Sequence, residues 1–127
     1  MNSAGDPIEW VNRAEEDYQL ARISLQRKLP LTYGATFHAQ QCAEKYIKAL
    51  LTLRQIAFPH THDLAALYAL CKQNGIILPV SEDKLEKLSA FAVEVRYPGV
   101  LPTFDEAKEA LQISKGIRKL ARKFLGL

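Results

Sequence analysis

Three groups of residues in this 127-residue chain have the types and spacing that chemistry would need. The first is His38, Gln41, Lys45 and Lys48, which recur at three- and four-residue steps and therefore share a face if the segment is helical. With Thr52 they fill one narrow polar sector of an otherwise apolar stretch. Lysines in that position bring charge to a phosphate, and a histidine can donate or accept a hydrogen bond. The face reads as a phosphate or nucleotide site. It reads equally as the solvated side of an amphipathic helix, or as a subunit contact.

The second group is Pro59-His60-Thr61-His62-Asp63. A His-x-His pair beside an aspartate invites a metal reading, but zinc needs a third or fourth ligand and no partner is in view. Thr61 or Asp63 is better placed to cap a following helix, with His62 anchoring the loop through hydrogen bonds. The third group is Arg96-Tyr97-Pro98. Proline turns the residue before it away from helical geometry, so a helix must break here. An arginine at that break is either a fork for a phosphate or a clamp on helix-end carbonyls. Tyr97 either stacks on a base or packs inward with its hydroxyl satisfied. A Gly-rich phosphate loop, a paired-carboxylate motif and a Ser-centred nucleophile motif are all missing.

Five helical segments must position these groups, and no strand pattern competes with them. The first opens at Asp6-Pro7, a capping residue followed by proline at the first helical position, and runs to about Lys28 before Pro30. Trp10, Ala14, Tyr18, Ala21 and Leu25 recur along it at helical spacing. The second spans about Thr32 to Ile56, and Ala39, Cys42, Ala43, Tyr46, Ile47, Leu50 and Leu53 cover a wide apolar arc on it. A helix buried on one side needs a narrower stripe, so this one should touch several neighbours, or a neighbour and a second subunit.

After the loop Ala57-Phe58-Pro59-His60-Thr61, a third helix carries Leu64, Leu67, Tyr68 and Cys71 and stops near Asn74-Gly75. Ile76 to Val80 connects in extended form. The fourth helix begins at Ser81 and should bury Leu85, Leu88, Phe91, Ala92 and Val95. The fifth starts with Thr103-Phe104-Asp105-Glu106, a capping box, and faces Ala107, Ala110, Leu111, Ser114, Ile117, Ala121 and Phe124 to the core.

The whole length suits one domain, residues 1–127, with an apolar fraction of 48% and a charged fraction of 24% that exclude disorder. Cys42 and Cys71 each sit in a helical pattern as small apolar residues, and no Cys/His cluster has metal spacing. No secretory signal is visible, and the densest apolar run, Leu64 to Cys71, is too short for a bilayer; the expected location is the cytoplasm. The net charge of +3 is modest, and basic residues gather late in the first and last helices, the order a helix dipole favours.

Three blocks of the sequence together carry a family likeness. Phe37-His38-Ala39-Gln40-Gln41-Cys42-Ala43-Glu44-Lys45-Tyr46-Ile47-Lys48-Ala49-Leu50-Leu51, then Thr61-His62-Asp63-Leu64, then Arg96-Tyr97-Pro98, closely resemble the HEPN domain. The resemblance covers nearly the whole chain. It implies an all-α, antiparallel up-and-down bundle of about five helices with a four-helix-bundle-like core, commonly a homodimer. It further implies a nucleotide- or RNA-associated module paired with a minimal nucleotidyltransferase, as in toxin–antitoxin modules; no cofactor and no membrane contact are expected. On this basis the ligand-binding candidates are His38, Gln41, Lys45, Arg96 and Tyr97.

Many HEPN proteins are metal-independent ribonucleases with an Arg and a His separated by four to six residues. Here no histidine follows Arg96. Arg54 and His60 meet the spacing but fall across the second interhelical loop, earlier than the family places its motif. The expectation is therefore a binding module rather than an enzyme. The alternative is a metal-independent endoribonuclease using a non-standard pair, Arg96 with His62 or His60.

Overall fold

The computed structural model describes residues 5–94 and 101–127, with backbone alone for 92–94. Five helices form it: α1 (Pro7–Gln26), α2 (Thr32–Leu53), α3 (Leu64–Gln73), α4 (Glu82–Glu94) and α5 (Phe104–Phe124). The protein is all-α, as its sequence pattern requires.

Each helix start has a local cause. The Asp6 carboxylate accepts the Ile8 N–H at 2.9 Å and Pro7 opens α1. Asp63 caps α3 by accepting from Ala65 and Ala66. Ser81 accepts from Lys84 ahead of α4. At α5 the capping box is complete, Thr103 and Glu106 each accepting the other's backbone N–H. Helix α2 is the exception, for Leu31 offers no side-chain cap.

The ends differ slightly from the sequence expectation. α1 stops at Gln26 rather than near Lys28, where Arg27 turns to extended backbone at ψ 152°, and Pro30 could not have continued the helix. α2 stops at Leu53 rather than Ile56. There the Ile56 N–H reaches the Leu51 carbonyl and the Gln55 N–H the Thr52 carbonyl, with Gln55 left-handed at φ 59°. The same closing pattern ends α3 at Gly75 and α5 at Gly126, where glycine takes the positive φ freely.

α1 and α2 form an antiparallel pair: Leu31 N–H bonds to Ser24 O at the turn, Asp17 meets His38 and Lys45, and Trp10 meets Lys48 further along. α3 and α4 are also antiparallel, tied by Lys72–Glu82 at one end and by Leu64–Ser89 at the other. α5 lies along both α1 and α2 and is linked to α4 by the Lys87–Glu109 ion pair. Between α3 and α4, Tyr68 Oη accepts the Leu78 N–H and holds the 76–80 connection, with Ile76 and Leu78 buried.

α2 packs against each of the other four helices. Ala39, Cys42, Ala43, Tyr46, Ile47, Ala49, Leu50 and Leu51 are all sealed from solvent. Most of the wide apolar arc is thus covered within a single chain, whereas Leu53 at its end remains 40% exposed. Leu85 and Leu88 are buried from α4, whereas the expected contributions of Ala92 and Val95 lie outside the described side chains. From α5, Ala107, Ala110, Ser114, Ile117 and Ala121 face the core, while Phe124 is partly out beneath Arg54.

Candidate functional site

Two buried carboxylates organise the polar residues around α2. Asp17 of α1 is only 6% exposed. Its Oδ1 lies 2.7 Å from His38 Nδ1, and its Oδ2 lies 2.5 Å from Lys45 Nζ. An ionised carboxylate can only accept, so Nδ1 carries the proton and Nε2 is left for another partner. The Phe37 ring meets the imidazole edge-on at 5.2 Å, restricting its rotation. An open cavity of about 450 Å³ lies over Asp17 and Lys45, lined also by Asn12, Arg13 and Glu16.

Glu44 is the second centre, at 3% exposure. It accepts from Lys48 Nζ at 2.9 Å and Gln40 Nε2 at 3.3 Å, and lies 2.9 Å from His62 Nδ1. Gln40 also donates to the His62 carbonyl, and Gln41 donates to Gln40 Oε1. His62 is thus fixed through its backbone and Nδ1, while its side chain is 73% exposed. Lys48 is not a solvated lysine, because it is only 7% exposed and its ammonium sits 5.4 Å from the Trp10 ring and 5.8 Å from that of Phe58. Thr36, Gln40, Glu44, Lys48 and Thr52 are all buried at strict four-residue spacing. A polar ladder therefore runs through the interior, and of the expected polar strip Lys48 and Thr52 belong to it.

A third cluster joins α5 to the α1–α2 pair. Arg118 grips Glu15 with two hydrogen bonds, 2.6 and 2.9 Å, and lies over the Tyr18 ring. The Tyr46 hydroxyl donates to Glu15 and accepts from Arg122. The Arg118 hydrogen bond holds the Glu15 carboxyl below its usual range, and burial raises the Tyr46 phenol. Burial also pushes both thiols, Cys42 and Cys71, up to about 12, so neither is poised as a nucleophile.

The structure brings His38, Gln41 and Lys45 onto one side of α2, with His62 reached through Gln40 and Glu44. Arg96 and Tyr97 lie outside the described residues. Arg54 stacks on Phe124 and His60 is exposed; among the described residues no hydrogen bond joins them. No group of three or more His, Cys, Asp or Glu among the described residues could hold a metal ion. Nor is any described helix long and apolar enough to cross a membrane.

Asp17 and Glu44 are the organising residues that the sequence reading missed. A signal for Asp17 exists, since it falls in the buried register of Ala14, Tyr18 and Ala21. An acid at such a position needs a buried partner.

Fold and site together define an all-helical domain with carboxylate–histidine pairs set along its central helix. Comparison with known proteins sharpens that class: the HEPN domain family matches residues 8–124, and the chain belongs to it. A relative from Methanocaldococcus jannaschii, named "Putative toxin MJ1304", is 29% identical, with 98% of this chain and 94% of the relative aligned. No solved structure matches significantly.

Proposed function

We propose that this chain is the HEPN-type toxin module of a toxin–antitoxin pair. It acts as a homodimer that engages a nucleotide or RNA through His38, Gln41 and Lys45, together with a minimal nucleotidyltransferase. The family match and the name of the archaeal relative, alike over nearly their full lengths, support the toxin-type reading. The ligand part is carried by one observation: buried Asp17 holds His38 Nδ1 and Lys45 together, and Asp17 and Lys45 line an open cavity. Arg96 and Tyr97 complete the proposed ligand set on the strength of the sequence. Self-association is supported by the exposed Leu20, Ile23, Leu29, Leu31 and Tyr33, which cluster around the α1–α2 turn.

The test is thermal stability of the purified protein with each common nucleotide, alongside co-purification with a co-expressed minimal nucleotidyltransferase. A shift that His38→Ala and Arg96→Ala abolish, with retention of the partner, is expected. No shift with any nucleotide and no retained partner would overturn the proposal.

A second reading, a metal-independent ribonuclease, is favoured by one feature. Both His38 and His62 have Nδ1 on a buried carboxylate, which leaves Nε2 for proton exchange. It predicts RNA cleavage in the presence of chelator, lost in Arg96→Ala and in His62→Ala. RNA left intact across varied substrates would end that reading.

A further inference from the structure

The outward face of α5 carries a row of cations with no ion-pair partner among the described residues. Lys108, Lys115, Lys119 and Lys123 are exposed, with Gln112 between the first two, and they recur at three- to four-residue steps. Of the acids on α5, Glu106 serves its own cap, Glu109 pairs with Lys87, and Asp105 lies exposed in the first turn ahead of the row. The row runs over sixteen residues, 108–123, or about 22 Å of helix.

Two considerations separate this row from an ordinary solvated face. A helix dipole rewards cations only in the last turn, which accounts for Lys123 but not for Lys108 or Lys115. Moreover Lys115, Lys119 and Lys123 stand at successive four-residue steps, where like charges repel and destabilise the helix. Helix stability alone would place acids among them. A polyanion laid along the row would remove the repulsion.

We infer that this face of α5 docks the sugar–phosphate backbone of a nucleic-acid strand, without reading its bases. A protein partner would need apolar anchors at the centre of the contact, and between Lys108 and Lys123 the outward sector offers only lysines and Gln112. A membrane surface would need the apolar face of the helix, which is already buried against α1 and α2. A phosphate backbone needs only cations in line, and its binding releases counterions. The inference is independent of the His38 site, being carried by a different helix.

The test is fluorescence anisotropy with a labelled 20-nucleotide oligouridine over a range of salt concentrations. The wild type is compared with a triple variant, Lys115→Gln with Lys119→Gln and Lys123→Gln. The slope of log affinity against log salt should fall by about two in the variant, close to 0.7 for each lost contact. Its melting temperature should stay level or rise, since the repulsion is gone. His38→Ala should bind the oligomer as the wild type does, which keeps this result apart from the fate of the nucleotide site. Unchanged affinity and slope in the triple variant would overturn the inference. So would equal displacement of the oligomer by polyglutamate of matched length, or by phosphatidylserine vesicles.

Discussion

Glu44 shows how much a single side chain holds in place. It is buried with Lys48, whose ammonium lies against the Trp10 and Phe58 rings, so removing the acid strands a cation in the interior. Glu44→Ala should cost about 3 kcal/mol or more by urea denaturation, the scale seen when one partner of a buried pair is lost. Replacing both, Glu44→Gln with Lys48→Met, should recover much of that loss; an equal loss in the double variant would show that the pair is not the cause. Glu15 acts through pH. Its folded-state carboxyl is held low by Arg118, so its contribution is complete above the ordinary carboxylate range and fades as pH falls through the lowered value. The gap in urea midpoint between wild type and Glu15→Gln should therefore be wide at neutral pH and shrink towards pH 3. A gap constant across that range would exclude the mechanism. The candidate site was only half legible in the sequence for a related reason. Residues on one helix, His38, Gln41 and Lys45, announce themselves by spacing. Their partner Asp17 comes from another helix, and His62 from a loop, and local periodicity cannot pair them.

At the scale of the element, helix ends are set by backbone chemistry that short-range pattern captures unevenly. The starts at Asp6, Asp63 and Thr103 could be read directly, because capping depends on the side chain at one position. The end of α2 could not, because Gln55 takes a left-handed conformation usually reserved for glycine. Gly75, at the equivalent place after α3, makes the same turn without strain. Gln55→Gly should therefore stabilise the protein by about 0.5–1 kcal/mol, and Gly75→Ala should destabilise it by a similar or larger amount. Paired thermal melts of the two variants give the check, and matching signs would refute the account. The breadth of the apolar arc on α2 was the most informative reading of all. It asks for several neighbours, or a neighbour and a second subunit, and four helices of the same chain pack against it.

For the whole molecule, the central place of α2 makes partial unfolding difficult. Each other helix rests on it, and Arg118 and Arg122 tie α5 to residues of both α1 and α2. Unfolding should be a single cooperative transition. The only tryptophan, Trp10, packs against Phe58 and Lys48 and so reports the α1–α2 side of the bundle, whereas far-UV circular dichroism reports all five helices. The two signals should superimpose in urea, and separate midpoints would reveal an independently melting part. The same arrangement has a consequence for the chain as it is being made. α2 is finished at Leu53, yet α5, which covers much of it, is complete only at Phe124. At translation speeds of about 5–20 residues per second, the seventy or so residues between them take several seconds. Through that interval the side of α2 that meets α5, Tyr46 included, waits without its final cover.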